Sequence, residues 1–320
     1  MGTRLDVRIG GLDDRERLLA ASQTVLEEMR RIEELLSTWE ATTPLSRANR
    51  APVGEVFPLP AELHRLLESA LHWSHRTGGA FEPRVGALVR AWDLRGTGRV
   101  PEGATLAHAL AVSGDRGMTL TSEGTVRRDA RAWIDAGGFG KGAALDAARR
   151  LLADHGVNQA SLNLGGQLLL VGAPADQPRG WSVSVAHPRR RGATVAALRV
   201  RDASVATSSA SERTVEVDGR AFGHILDPRT GQPVPAWGSV TVVAENPLAA
   251  DILSTAFFVL GPDDGMALAR SFPEVGALFL EVTATGDVSA RWTDPMNQWL
   301  VDPAPQATTY SPGRPMRPRP

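Results

Sequence analysis

The sequence predicts an α+β fold, with mixed and mainly antiparallel sheets flanked by helices. Amphipathic helical stretches dominate the first quarter of the chain, and short apolar strands dominate the second half. The helices and strands do not alternate in the regular βαβ order that indicates a parallel sheet. The chain of 320 residues is long enough for one large domain or two closely joined ones.

The first two helices are predicted from apolar periodicity and from their end signals. In residues 14–38, leucine, valine, isoleucine and methionine recur at three- and four-residue steps and form one apolar stripe. The next helix begins near Pro60, because proline favours a first helical turn, and it ends at Gly78. Residues 37–51 between them are polar and are predicted to form a loop.

The remaining elements are predicted from shorter apolar runs bounded by glycine and polar residues. Residues 80–92 are expected to form a loop and turn that faces a ligand, and residues 95–130 to be largely irregular. Helices are predicted at 141–155 and 249–260, and strands at 1–9, 118–120, 161–171, 181–186, 195–200, 204–207, 239–244 and 277–282.

Composition excludes several classes of protein. The net charge of −1 offers no basic surface for nucleic acid, and the absence of cysteine excludes thiolate catalysis, cysteine-ligated metal and disulfides. No stretch reaches the roughly 18 apolar residues of a membrane span. The N-terminus reads as a strand and not as a signal peptide, so a cytoplasmic protein is expected unless an export segment is missing. The folded domain is predicted to span residues 1–301, and the Pro- and Arg-rich residues 302–320 are predicted to be a disordered tail.

A glycine-rich turn, Ile134–Asp146, is the most informative local pattern. Its glycines allow backbone to approach a ligand closely, the start of the following helix attracts phosphate, and Lys141 adds positive charge. These features suit a phosphate-bearing ligand such as a nucleotide, although a tight turn built for packing explains the same glycines. The turn is not a P-loop, because Gly142 stands where that motif needs Ser or Thr, and it does not fit G-x-G-x-x-G.

Three further clusters have both a chemical and a structural interpretation. Residues 223–231 form a turn-rich loop that carries His224, Asp227 and an arginine, or a hairpin with a hydrogen-bonded histidine. Asp251 and Thr255 share a helix face and offer oxygen ligands for Mg²⁺ or Ca²⁺, or the aspartate only caps the helix. The hydroxyl side chains of residues 204–211 can contact phosphate or ribose, or belong to a polar loop.

Taken together and in order, these clusters resemble the FAD:protein FMN transferases, the ApbE family. The resemblance covers about residues 1–285. The stretches that carry it are Met1-Gly2-Thr3, Leu36–Trp39, Leu45–Asn49, Gly78–Pro83, Leu88–Trp92, Asp135–Asp146, Asn163–Gly166, Ala206–Ser208, His224–Gly231 and Ala250–Thr255.

The resemblance implies an α+β unit with the flavin dinucleotide in a central cleft. Members of the family use a divalent metal, usually Mg²⁺, to split the FAD pyrophosphate. They attach FMN through a phosphoester to a Thr or Ser of an acceptor protein and release AMP. Some relatives hydrolyse FAD to FMN and AMP instead, and a protein that binds FAD without cleaving it is a further alternative.

The resemblance also implies roles for individual residues. The metal ligands would be the side chains of Asp251 and Thr255 and a backbone oxygen near Gly138. Catalytic roles fall to Lys141, which would hold negative charge, and to His224 or Asp227, either of which could accept the proton of the attacking hydroxyl. Contacts to FAD are implied for Met1, Trp39, Ala80, Phe81, Glu82, Asp135, Lys141, Thr207 and Ile225. Trp39 stands where the family often has Tyr, and Glu82 where it often has Asp.

Overall fold

The computed structural model describes residues 3–12, 14–190, 192–210, 214–217, 219–283, 285–303 and 307–310. Its α-helices are α1 (Arg15–Leu36), α2 (Pro44–Ala48), α3 (Ala61–Arg76), α4 (Gly86–Ala91), α5 (Gly103–Ala111), α6 (Gly140–Asp154) and α7 (Pro247–Ala269). Its strands are β1 (Leu5–Gly10), β2 (Val56–Phe57), β3 (Met118–Thr121), β4 (Gly124–Arg127), β5 (Gln159–Leu164), β6 (Gln167–Val171), β7 (Trp181–Ala186), β8 (Thr194–Val200), β9 (Ala203–Ser209), β10 (Thr214–Val217), β11 (Arg220–Gly223), β12 (Gly238–Ala244), β13 (Gly276–Val282), β14 (Val288–Trp292), β15 (Leu300–Pro303) and β16 (Ala307–Tyr310).

One large sheet organises the fold, in the order β1-β5-β6-β9-β12-β13-β14-β16. Its strand pairs are antiparallel apart from β14 and β16, which pair in parallel. Smaller sheets are formed by β15-β8-β7, by β2-β4-β3 and by the hairpin β10-β11. The α+β class with mainly antiparallel sheets that the sequence predicts is therefore confirmed.

The large sheet is covered on both faces, which explains its continuous apolar strands. Along β13, Ala277 and Phe279 lie in the core shared with α1, α6 and α7, whereas Leu278 and Leu280 lie in a second core with β7 and β8. Successive side chains of a strand point to opposite faces, so a strand buried on both faces needs apolar residues at every position. The helices and the small sheet β15-β8-β7 thus form the outer layers around the large sheet.

The structure contains short elements that periodicity does not reveal. Helix α2 lies within the predicted loop 37–51, α4 within the predicted loop 80–92, and α5 within the segment predicted as irregular. Helices α4 and α5 contribute to one apolar cluster that includes Leu88, Trp92 and Leu226. Helices this short are marginal alone, so tertiary packing stabilises them and their sequences carry little independent signal.

The C-terminal segment and helix α7 both differ from the predictions made from the sequence. Strands β15 and β16 extend into the segment 302–320 that is predicted to be disordered, and residues 304–306 and 311–320 lie outside the described residues.

Among the described helices, α7 is long and apolar enough to cross a membrane by length and composition, although no such stretch is expected from the sequence. It packs between α6 and the large sheet, and 56% of its most apolar stretch is buried, as in a core helix.

Candidate functional site

A cavity of about 500 Å³ opens where the glycine turn, the start of α6, the loop after α3 and α7 meet. This volume lies in the range of small-molecule and cofactor pockets. The cavity brings together nearly all the residues for which the sequence predicts a role. Those that line it are Trp39, Ala80, Phe81, Glu82, Asp135, Gly138, Lys141, Thr207, His224, Ile225, Asp251 and Thr255.

Asp251 is a buried charged residue that lines the cavity. Only 3% of its surface is exposed, and it lies one turn into α7, after the N-cap Asn246. Its Oδ2 accepts a hydrogen bond of 2.9 Å from the backbone N–H of Gly142, and its Oδ1 lies 3.2 Å from Lys141 Nζ. Asn246 is the N-cap of α7, so the alternative prediction that Asp251 only caps this helix is wrong. The aspartate is instead a buried carboxylate held by the first turn of α6.

Lys141 is the only lysine in the chain, and the other permanently charged basic side chains are arginines. It lies at the start of α6, and its side chain is partly exposed to the cavity. A compact ammonium group makes a point-like contact with an oxygen, unlike the planar fork of a guanidinium. The ammonium of Lys141 and the N-terminal end of α6 together concentrate positive charge on this part of the cavity.

Gly142 allows α6 and α7 to approach closely. A Cβ added at this position would lie 2.6 Å from the carbonyl oxygen of Pro247 and 2.8 Å from Asp251 Cβ. These distances are shorter than real Cβ contacts, so any side chain at position 142 would push the two helices apart. The glycine therefore sets the distance at which Asp251 reaches α6.

We expect Gly142→Ala to destabilise the fold by about 1–3 kcal/mol, because the new methyl group overpacks the contact between α6 and α7. Thermal and urea unfolding would measure the loss. Gly103→Ala is the matched control, since a Cβ at Gly103, also a helical glycine, meets nothing within 4 Å. Equal stability of the two variants would contradict this account of Gly142.

Thr255 and Gly138 line the same cavity as Asp251. Thr255 is one helical turn after Asp251, and its Oγ1 donates to the Asp251 carbonyl oxygen at 3.2 Å. A Cβ placed on Gly138 would lie 3.7 Å from Thr255 Cγ2, so the glycine turn adjoins this part of α7. The described residues contain no group of three or more His, Cys, Asp or Glu side chains that could hold a metal. Oxygen donors dominated by one carboxylate fit a hard cation such as Mg²⁺, which keeps several ligands from water or substrate.

His224 and Asp227 differ in their relation to the cavity. His224 follows β11 directly and lines the cavity, whereas Asp227 is absent from the described lining. Both Asp227 carboxylate oxygens accept hydrogen bonds from Arg229, at 2.9 and 2.8 Å. That contact raises the pKa of Arg229 above its usual range. Asp227 is therefore paired within its own turn, whereas His224 lines the cavity.

Glu82 lines the cavity, but Arg84 occupies most of its hydrogen-bonding capacity. Arg84 Nε and Nη2 donate to the two carboxylate oxygens of Glu82 at 2.7 and 2.8 Å, and Ser74 Oγ donates at 3.0 Å. Burial alone lowers the pKa of Arg84, but the hydrogen bonds and charges of Glu82 and Asp115 outweigh it and raise the pKa. Glu82 thus anchors the loop that carries Ala80 and Phe81.

The other predicted contact residues differ in what their side chains offer. Ala80 and Phe81 are buried and form an apolar wall, and Ile225 is half-buried beside His224. The hydroxyl of Thr207 lies 2.9 Å from that of Thr241 on the neighbouring strand, so it is engaged within the sheet. Met1 lies outside the described residues, whereas Thr3 lines the cavity.

The structure adds Arg95, a cavity residue that the sequence did not reveal. Its guanidinium carbon lies 5.0 Å from the centre of the Trp39 ring, and it forms an ion pair with Asp135. Asp135 also accepts a hydrogen bond of 2.7 Å from the Gly137 N–H, which ties it to the glycine turn. Arg95 lies in the segment predicted to be irregular and belongs to no recognisable motif, so only its spatial neighbours reveal it.

The sequence of the chain is similar to those of known proteins. The sequence pattern of the ApbE family matches residues 1–279. The chain is 34% identical over 298 residues to the FAD:protein FMN transferase of Treponema pallidum (strain Nichols), covering 88% of this chain and 82% of that relative. It is 25% identical over 304 residues to the FAD:protein FMN transferase of Escherichia coli (strain K12), covering 92% and 85% of the two chains.

Solved structures share the fold. The crystal structure of the ApbE protein from Thermotoga maritima superposes with a TM-score of 0.79 at 29% identity, covering 89% of this chain and 95% of that one. The flavin transferase ApbE from Vibrio cholerae superposes with a TM-score of 0.81 at 24% identity, covering 94% and 96%. The architecture described above is therefore that of known flavin transferases.

Proposed function

The chain belongs to the ApbE family, and from this premise we propose that it transfers FMN from FAD to a Thr or Ser hydroxyl of an acceptor protein and releases AMP. The observation that carries the proposal is the convergence of Lys141, Asp251, Thr255 and His224 on one cavity. These groups come from the start of α6, from α7 and from the loop after β11. They supply the charge neutralisation and the proton acceptor that cleavage of a pyrophosphate requires.

Asp251, Thr255 and the carbonyl oxygen of Gly138 would hold a divalent cation such as Mg²⁺. When bound, the cation neutralises negative charge on phosphate oxygens. The buried carboxylate of Asp251 supports this assignment, because Asp251 lines the cavity and its Oδ1 is balanced by Lys141 at 3.2 Å. A cation seated at Asp251 would release Lys141 to interact with the phosphates of FAD.

The chain's own residues then account for the transfer. The oxygen of the acceptor hydroxyl forms a bond to the phosphorus of the FMN half, and the bond from that phosphorus to the bridging oxygen breaks. AMP leaves with the bridging oxygen, and the hydroxyl proton passes to His224, since an alcohol is a poor nucleophile until it is deprotonated. Lys141 and the positive end of the α6 helix dipole stabilise the charge on the phosphates.

A transfer assay tests the proposal directly. The purified protein would be incubated with FAD, Mg²⁺ and a peptide that contains one Thr, and with the same peptide carrying Ala instead. Mass spectrometry should show one FMN attached to the Thr peptide alone, with an equal amount of AMP released. Free FMN beside an unmodified peptide would mean that water is the acceptor, and intact FAD would mean binding without cleavage. Either result would contradict the proposed transfer.

If Lys141 leaves Asp251 for the phosphates of FAD when the cation binds, removing the lysine charge should change both the transfer rate and the affinity for Mg²⁺. We expect Lys141→Met to lower the rate of FMN transfer about 100-fold, because a charge that stabilises the transition state is lost. The same variant should bind Mg²⁺ more tightly than the unsubstituted protein when FAD is absent, because the cation no longer competes with an ammonium group for Asp251.

Isothermal titration with Mg²⁺ measures this second effect. Lys141→Arg is the matched control, since it keeps the charge beside Asp251 and should not tighten metal binding. Unchanged Mg²⁺ affinity in Lys141→Met would show that Lys141 does not occupy the metal-binding oxygen.

A further inference from the structure

Arg95 lies on a hydrogen-bonded turn that lines the cavity. The turn follows α4, and it is closed by a hydrogen bond of 3.0 Å from the N–H of Arg99 to the carbonyl oxygen of Trp92. Asp93 adopts a positive φ of 50° within it. Trp92 Nε1 donates to the carbonyl oxygen of Gly231 at 2.8 Å, which attaches the turn to the loop that carries His224. The backbone of Arg95 is therefore held in a defined position relative to the site.

The side chain of Arg95 connects two parts of the cavity wall. Its guanidinium lies over the Trp39 ring at 5.0 Å from the ring centre and pairs with the carboxylate of Asp135. Trp39 is 67% exposed, which is unusual for so large an aromatic side chain. An exposed indole that lines a cavity offers a flat surface on which a planar ligand ring can stack.

The described lining of the cavity contains more acidic residues than permanent cations, and Arg95 is one of these cations. Among the described residues that line it, four are acidic (Glu33, Glu82, Asp135 and Asp251), and the permanent cations are Arg95 and Lys141. Lys141 already faces Asp251. Arginine is also the one cation whose planar group both stacks on an aromatic ring and pairs with a carboxylate.

We propose that Arg95 is a substrate-binding residue that acts with Trp39 as an aromatic clamp. A planar ring of the dinucleotide inserts between the indole and the guanidinium, which shifts away from the Trp39 ring while it stays paired with Asp135. This inference rests on the proposed function, because it takes FAD as the ligand of the cavity. It assigns the binding of one ring system to a pair of residues distinct from Lys141, Asp251 and His224.

The affinity for FAD, measured by fluorescence titration without acceptor or divalent metal, tests the clamp. We expect Arg95→Ala and Trp39→Leu each to raise the Kd for FAD about tenfold, in line with a cation–π and stacking contact. Arg95→Lys should weaken binding nearly as much as Arg95→Ala, because lysine keeps the charge but lacks the planar group. The double variant Trp39→Leu with Arg95→Ala should bind FAD no more weakly than Trp39→Leu alone, since both residues serve one contact.

Controls separate this contact from general effects on the fold. Arg201→Ala removes another arginine paired with an aspartate, at 3.3 Å, away from the cavity, and it should bind FAD like the unsubstituted protein. Trp39→Leu leaves the ion pair of Arg95 with Asp135 intact, so its loss of affinity cannot come from an unpaired carboxylate. Titration with FMN and with AMP identifies the ring in the clamp, because only the fragment that carries this ring should lose affinity in Arg95→Ala.

Three outcomes would overturn the clamp. These are unchanged FAD affinity in Arg95→Ala, full affinity in Arg95→Lys, or losses for Trp39 and Arg95 that multiply in the double variant. Failure of the proposed function looks different, because the unsubstituted protein would then not bind FAD or not modify the peptide. A protein that binds FAD and transfers FMN while its Arg95 variants bind normally would refute the clamp alone.

Discussion

Asp251→Asn is expected to reduce FMN transfer about 1000-fold and to abolish Mg²⁺ binding. The substitution deletes the buried negative charge that would hold the cation, and the stabilisation of phosphate charge is lost with it. Asparagine keeps the size of the side chain and an oxygen that can accept the hydrogen bond from Gly142, now 2.9 Å long. We therefore expect the protein to remain folded, and transfer rates and Mg²⁺ titration to report the effect on the site.

A second aspartate of the same element serves as a control for Asp251→Asn. Asp263 follows the non-helical break at Gly261 within α7, is exposed, and pairs with Arg291 at 2.7 Å. Asp263→Asn removes the same charge outside the cavity, and an exposed ion pair contributes little to stability. It should transfer FMN at the normal rate. A wild-type rate in Asp251→Asn, or an equal loss in both variants, would remove Asp251 from its proposed role.

His224→Gln is expected to lower the turnover of FAD by about 10²–10⁴-fold, the usual contribution of a general base. Glutamine keeps a polar side chain of similar length but cannot accept a proton at neutral pH. The affinity for FAD should change by less than about threefold, because the charges that face the phosphates remain. Single-turnover transfer and a fluorescence titration separate the two quantities.

Asp227→Asn distinguishes the two residues that the sequence left as alternatives. Asp227 contacts Arg229 through both carboxylate oxygens, and this contact stabilises the turn. We expect the variant to keep at least half of the normal transfer rate. A steeper loss in Asp227→Asn than in His224→Gln would reverse the assignment and make the aspartate the proton acceptor.

Local sequence patterns predict those helices and strands that depend mainly on neighbouring residues. The stripe in residues 14–38 corresponds to α1 (Arg15–Leu36), and the helix predicted after the glycine turn corresponds to α6 (Gly140–Asp154). The strand predicted at 181–186 has the same bounds as β7. These elements follow from the spacing of apolar residues and from glycines at their ends, which act over a few neighbouring positions.

Short helices and the roles of single charges could not be predicted in this way. The sequence predicts a loop where α4 forms, because only packing against α5 and the loop after β11 makes this short helix stable. Asp227 and His224 are equivalent candidates in the sequence, because their spacing does not show which one lines the cavity. Arg95 had no motif at all, and its neighbours Trp39 and Asp135 lie far from it along the chain.

The sequence by itself determined the α+β class, the position of the glycine turn and the order of clusters by which the family can be recognised. Those properties depend on residue type and on short spacings. Only the tertiary structure decided that Lys141 meets Asp251, 110 residues further along the chain, and that Arg95 lies over Trp39. Contacts of this kind arise when α6 packs against α7 through Gly142 and when a tight turn is held against the cavity. Because packing of the whole chain sets these distances, no local pattern of residues specifies them.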